Sequence, residues 1–372
     1  MFGRLLKHGV LSLVFALCLA VAPLSPVLAS APPQTVFQPP TGAVTYNAPL
    51  NEMFFGYGNT GQGWTGGDQA YSVPLTNGSE VWLFSDTPLG SVVNGSRAPF
   101  PFTPMIHNCL VVQTGDKIVS TLYQGTHSDP RSLVSPPQAG AWYWFGPGTI
   151  SGDTLQVIMM KMVATGSGVF AFKWTGTYLA VFSLPSLSLQ GVSPLESADG
   201  IVWGSWVMQY GGFTYIYGTG NQSTNTMYVA RVHGSSLLSQ WQYFTGSGWS
   251  TDPVSPAGVM SGIESSYSVT RFQGEFLLVS MDADNFFSGA IYAYTSLSPT
   301  GPFMHKTLLY TTPDATFYDK SAGYGVFTYS AMVHPEFSTG NTLVISYSAN
   351  GSGPKAFTNV SVYRPRFLNV TV

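Results

Sequence analysis

Beyond residue 50 the chain shows almost no helical periodicity. It is a succession of short β-type runs broken by Gly, Pro, Asn, Asp and Ser. The runs fall into five groups, opening near Asp68, Trp142, Trp203, Glu264 and Tyr329, at intervals of 61–74 residues. Each interval accommodates a four-stranded meander with one long loop. Repeated four-stranded units without helices predict an all-β fold, a five-bladed β-propeller of four-stranded antiparallel blades. The fifth group is one strand short at the C-terminus. Phe54–Tyr57 is expected to supply that strand and close the ring, which also removes exposed sheet edges. A two-sheet sandwich is the competing architecture, but five comparable groups exceed what one sandwich holds.

The first 50 residues read differently. Arg4 and Lys7 precede the apolar run Val10–Val21, and small residues follow at Ala29, Ser30 and Ala31. This is the pattern of an export signal over residues 1–31, and it predicts a secreted protein, extracellular or periplasmic. Residues 32–50 are Pro-rich and read as a linker, and 51–372 as one domain. No later apolar run is long enough for a membrane-spanning helix. Loss of Arg4 and Lys7 with the signal takes the net charge from −3 to −5. Without a basic stripe, nucleic acid is excluded as an expected partner. Cys109 is then the one remaining cysteine, so the domain must be held by its core rather than by a disulfide.

The stretch Gly66–Thr87, GGDQAYSVPLTNGSEVWLFSDT, carries the clearest local signal. Asn77-Gly78 stands between two apolar runs, the strongest short-range mark of a β-hairpin. Asp68 precedes the first run and Asp86 follows the second, so the hairpin brings the two carboxylates side by side. A pair of nearby carboxylates is the minimum equipment for glycoside hydrolysis. Both are equally ordinary as turn residues at strand ends.

In a propeller the first strands line the channel, and ligands sit over its mouth. The polar and aromatic residues at the group openings are therefore the candidates. Glu264 is the third carboxylate. Trp64, Trp144, Trp206 and Tyr267 are candidate platforms for sugar rings, and His107, Asn108 and His334 are candidate partners of sugar hydroxyls. Asp282-x-Asp284-Asn285 could hold calcium but lacks the rest of a binding loop. No zinc-ligand spacing, nucleophile elbow or phosphate loop is present. The sialidase reading is disfavoured, because its Ser-x-Asp-x-Gly-x-x-Trp box is missing and arginines are few.

The same hairpin, with HNCLVV, ARV at Ala230–Val232, SPTGPF at Ser298–Phe303, VHPEF at Val333–Phe337 and YRPRF at Tyr363–Phe367, resembles a family of secreted bacterial proteins. That family has long been labelled a domain of unknown function. It is similar to the five-bladed propeller glycosidases, and some relatives of this kind act on D-arabinan as endo-arabinofuranosidases. The resemblance spans roughly Asn51 to Val372. It implies that Asp68 is the first-blade acid, a base or nucleophile, and that Asp86 follows the second strand of that blade. Glu264 is a looser match. The acid of the second or third blade has no counterpart, since Trp144 and Trp206 stand there.

The resulting expectation is a glycoside hydrolase acting on a furanose-containing or related polysaccharide. Asp68 would be the base or nucleophile, and Asp86 or Glu264 the acid. The alternative is a non-catalytic propeller that binds glycan or protein. The expected partner is an oligo- or polysaccharide and the expected state a monomer. No cofactor is expected, with a calcium ion in the channel left open.

Overall fold

The computed structural model describes residues 44–99, 102–167, 171–195, 200–220, 225–254, 256–285, 288–316, 318–319, 324–352 and 358–372. The expected export signal over 1–31 and most of the expected linker lie outside them. The described chain is a five-bladed β-propeller of antiparallel sheets. Blade I comprises Tyr71–Pro74, Ser79–Phe84, Cys109–Thr114 and Lys117–Leu122. Blade II runs from Ala141–Ser151 to Leu189–Leu195, blade III from Ile201–Tyr210 to Trp249–Ser250, and blade IV from Ser268–Phe272 to Met304–Thr311. Blade V contains Tyr324–Val333, Thr342–Ser352 and Arg366–Thr371.

Ring closure corrects the sequence reading. The strand that completes blade V is Thr45–Tyr46, which pairs antiparallel with the C-terminal strand, Thr45 opposite Asn369. Phe54–Tyr57 lies instead in a helix, Ala48–Gly58. Residues 45–50, read as linker, are thus part of the fold. The apolar run looks strand-like, but the chain buries Leu50, Phe54 and Gly58, spaced four apart on one helical face. Asn47 caps this helix by accepting from Leu50 N–H at 3.1 Å. Phe54 then inserts between Trp64, Trp82, Phe84 and Phe367, with ring centroids 5.1–5.9 Å apart.

Asn51 pins the helix to the last strand. Its amide donates to Phe367 O at 2.7 Å and accepts from Phe367 N–H at 3.1 Å, fully buried. Asn51→Ala should cost about 2 kcal/mol, because Phe367 N–H loses its partner away from water, whereas Phe367 O keeps the Asn47 N–H at 2.9 Å. Urea unfolding of the variant beside wild type reads that loss directly.

The Asn77-Gly78 hairpin forms as expected, although only Gly78 takes a left-handed conformation (φ 81°). The loop closes through Gly78 N–H to Leu75 O at 3.0 Å and Leu75 N–H to Ser79 O at 2.8 Å. One irregularity recurs around the ring. The first strands of blades II, III and V each shift register, at Phe145/Gly148, Trp203/Trp206 and Tyr329/Met332. Such bulges re-aim the side chains beside them. In blades II and V, which flank blade I, they do so at the channel mouth. The last strand begins at Arg366. Arg364 therefore lies before it, fully buried and donating to Thr65 O and Asn59 Oδ1, while Arg366 reaches Asp314.

Candidate active site

The hairpin of blade I builds the centre of the site. Asp68 N–H donates to Asp86 O at 3.2 Å, and Ser85 N–H to Asp68 O at 3.1 Å, so Asp68 and Asp86 oppose each other at the open end. Gly66 and Gly67 make this approach feasible. Gly67 N–H donates to Tyr363 O, and a Cβ on Gly66 would lie 2.6 Å from that same carbonyl. Immediately after Asp68 the backbone is strained: Gln69 and Ala70 both have positive φ, 75° and 35°. Strain of this kind is held only where the surroundings over-determine it, and it concentrates at functional sites.

The two carboxylates have different surroundings. Asp68 Oδ2 accepts from the Tyr329 hydroxyl of blade V at 2.8 Å, while Oδ1 is sequestered without a hydrogen-bond partner. Burial, and then the neighbouring charge of Asp86, push the Asp68 carboxyl up to about 8. Asp86 faces the other way. Its Oδ1 accepts from Trp144 Nε1 of blade II at 2.8 Å and lies 2.7 Å from His107 Nδ1. Its side chain keeps 21% of its exposure and His107 keeps 40%, so this half is open to solvent. His107 stacks on Trp142 at 4.8 Å and 21°, and Phe172 stands edge-on to both Trp142 and Trp144. The half-buried rings form an apolar wall beside the carboxylates.

Glu264 sits deeper, 6% exposed. Both its oxygens accept from Ser330 N–H, at 3.1 and 2.9 Å, and burial pushes its carboxyl up to about 8. Tyr71 lies in the field of both Glu264 and Asp68, and its phenol is raised by burial and donates to Ser205 O at 3.2 Å. Tyr363, whose phenol is raised by burial and by the charges of Asp68 and Asp86, stands over the pair from the blade V loop.

Several residues named from the sequence lie elsewhere. Trp64 is fully buried against Phe54 and Phe84 beneath the hairpin. Trp206, 7% exposed, packs on Tyr71, and Tyr267 is fully buried with its hydroxyl on Gly218 O. Asn108 is fully buried and spent on Val134 and Tyr143 backbone groups. His334 is fully buried between blades I and V, its ring nitrogens on Ser72 and Ser346. These five serve packing, because aromatic and amide groups at the inner strands are what neighbouring blades bury. Phe172 and Tyr363 also stand beside the carboxylates without having been named as site residues from the sequence, and Trp142 and Tyr329 are named there only as group openings. Tyr329 had a signal, since it opens the fifth group; Tyr363 had none. Asp282 has Lys306 Nζ at 3.9 Å, a cation already beside it. Among the described residues, no three His, Cys, Asp or Glu side chains cluster as metal ligands.

A family profile described as a domain of unknown function, DUF5005, matches residues 51–372. No curated protein matches the sequence. Among solved structures, a Bacteroides ovatus protein described as a candidate hydrolase superposes with a TM-score of 0.73 at 22% identity, over 88% of this chain and 90% of that one. The likeness is one of fold. Looser neighbours include the GH43_1 enzyme of Xanthomonas citri, TM-score 0.47 at 12% identity over 87% and 92% of the two chains. Another is the α-L-arabinofuranosidase PaAbf62A of Podospora anserina, TM-score 0.44 at 10% identity over 84% and 93%.

Proposed function

The chain belongs to the DUF5005 family, a domain of unknown function, and from that premise and the geometry of the mouth we propose a glycoside hydrolase acting on a neutral, furanose-containing polysaccharide. The observation that carries this reading is the opposed pair Asp68 and Asp86, one carboxyl sequestered and raised, the other open and held by two N–H groups. Export through residues 1–31 belongs to the same proposal, as a polysaccharide substrate lies outside the cell.

The environments exchange the roles that the sequence suggested. A carboxyl kept protonated near neutral pH suits the general acid, so Asp68 takes that part. It gives its proton to the leaving glycosidic oxygen. Asp86, oriented by Trp144 and His107, attacks the anomeric carbon and forms a glycosyl ester. Water then cleaves the ester, with Asp68 as the base that takes its proton. Retaining enzymes separate their carboxyl groups by about 5–5.5 Å, whereas inverting ones need room for a water. The backbone contact that brings Asp68 beside Asp86 supports the closer arrangement, and retention is the outcome this proposal carries.

A neutral substrate fits the charges. Arg97 is buried, with its guanidinium on Thr65, Val360, Val362 and Asn359 oxygens, and Arg364 is likewise committed to Thr65 and Asn59. His107, Trp142, Trp144 and Phe172 offer flat faces to a sugar ring. The test is a screen on arabinans, fructans, xylans and arabinogalactan, with the product anomer followed by proton NMR during early turnover. Turnover with retained configuration is expected. Inverted product would overturn the mechanism, and no turnover on any of these glycans would leave the propeller as a binding module.

A further inference from the structure

Glu264 makes a contact that a reacting carboxylate would not. It is buried, and both oxygens converge on one backbone amide, Ser330 N–H. Ser330 is the unusual residue of blade V. It has a positive φ of 55°, which a residue with a Cβ rarely adopts, and it sits inside the Tyr329/Met332 register shift. Its own hydroxyl is buried without a partner, so the amide–carboxyl contact is what holds this turn of backbone. The residue immediately before it is Tyr329, whose hydroxyl donates to Asp68 Oδ2 at 2.8 Å. Glu264 is in turn fixed from behind, its own N–H donating to Ser280 Oγ at 3.0 Å within blade IV.

These contacts form a chain from blade IV through blade V to blade I. We propose that Glu264 is a positioning residue rather than a catalytic one: it clamps the Ser330 bulge and so keeps the Tyr329 hydroxyl on Asp68. This rests on the reading of Asp68 as the acid, although the linkage itself is a property of the free protein. A bulge without its clamp relaxes towards ordinary backbone geometry and swings Tyr329 off the carboxylate. Asp68 then loses the one side-chain donor that stabilises its charged form, and its carboxyl titrates higher.

The experiment needs no substrate. The Asp68 carboxyl is titrated by carbon-13 NMR in wild type, Tyr329→Phe, Glu264→Leu, Glu264→Asp and Glu264→Gln. Tyr329→Phe should move the Asp68 midpoint up by about one pH unit, the worth of a hydrogen bond to a charged group. Glu264→Leu removes the clamp, and Glu264→Asp shortens it by one methylene while keeping the carboxylate. Both should move the midpoint in the same direction, and combining either with Tyr329→Phe should add nothing. Glu264→Gln retains an oxygen for Ser330 N–H and should leave the midpoint near wild type. If Glu264→Leu does not fold, Glu264→Asp carries the test alone. An Asp68 midpoint unchanged in Glu264→Asp while Tyr329→Phe shifts it would overturn the proposal. On an active substrate, Gln should recover most of the kcat lost in the Leu or Asp variant, with KM little changed. Loss in Gln as deep as in Leu would instead make Glu264 a reacting carboxyl. Failure of every glycan substrate leaves the titration result standing.

Discussion

Asp68→Asn and Asp86→Asn should each lower kcat by about a thousandfold or more on the active glycan, from different steps. Asp86→Asn removes the nucleophile, so no glycosyl ester forms, and even substrates with good leaving groups stay intact. Asp68→Asn removes the proton donor. An aryl glycoside whose phenol leaves without protonation should still form the ester and then stall, because no base activates the water. A burst of one equivalent of phenol from Asp68→Asn, absent from Asp86→Asn, is the expected signature. The same burst would be read in a stopped-flow trace at stoichiometric enzyme. Either variant retaining turnover within tenfold of wild type would remove the dyad from the mechanism. A burst from Asp86→Asn in place of Asp68→Asn would return the roles to the order that the sequence alone suggested. Neither variant should unfold the protein, since the hairpin is held by backbone hydrogen bonds between Asp68, Ser85 and Asp86 rather than by their side chains.

The pairing of Asp68 with Asp86 was legible because it needs only local information. Alternating apolar runs and one Asn-Gly turn set the register, and register places the ends of the two strands together. The five groups were legible for a related reason, as strand period and turn residues repeat along the chain. What escaped was decided between blades. A tryptophan at the start of a group reads the same whether it faces the mouth, as Trp144 does, or the interior, as Trp64 does. The bulges at Phe145/Gly148 and Tyr329/Met332 re-aim the side chains next to them; Gly146, Pro147 and Gly148 mark the first in the sequence, but Ser330 and Ala331 give the second no such mark. Phe54, Phe55 and Tyr57 are residue types that suit a strand. The four-residue spacing of Leu50, Phe54 and Gly58 shows the helical face only once the partner surface of Trp64, Trp82 and Phe367 is known. The end of a first strand is a position that suits the channel, but there the backbone turns His334 into the seam between blades I and V.

That seam, together with the active site, should give the protein an inverted pH dependence of stability. Among the described residues three carboxyls are raised: Asp68 and Glu264 to about 8, and Glu80 to about 9 by burial and by Glu336 nearby. In the unfolded chain each titrates near 4. Between those values the native state binds protons that the unfolded state has released. Stability must therefore fall as pH rises from about 4 to 8 or 9, each group steepening the slope by up to about 1.4 kcal/mol per pH unit. Asp68, the one partly open to solvent, should contribute least. Glu336 acts in the opposite sense. Burial raises it, but hydrogen bonds from His334 and Ser72 and the charge of His334 outweigh burial and hold it below its ordinary value. Its contribution is present above pH 4 and is lost as pH falls through its lowered pKa. The melting temperature should accordingly peak between about pH 4 and 5 and decline steadily towards pH 9. Glu80 isolates the effect from catalysis, because it lies at the far end of the hairpin from Asp68 and its Oε1 is buried without a partner. Glu80→Gln should raise the melting temperature at pH 8, leave it nearly unchanged at pH 4, and flatten the profile between. Calorimetric scans from pH 3 to 9 decide the matter: a melting temperature that climbs from pH 5 to 8 would mean that these carboxyls ionise freely in the fold. Acid-favoured stability would in turn place the protein's working range where Asp68 is still protonated, so the same buried charge that costs stability at high pH keeps the general acid in its reactive form.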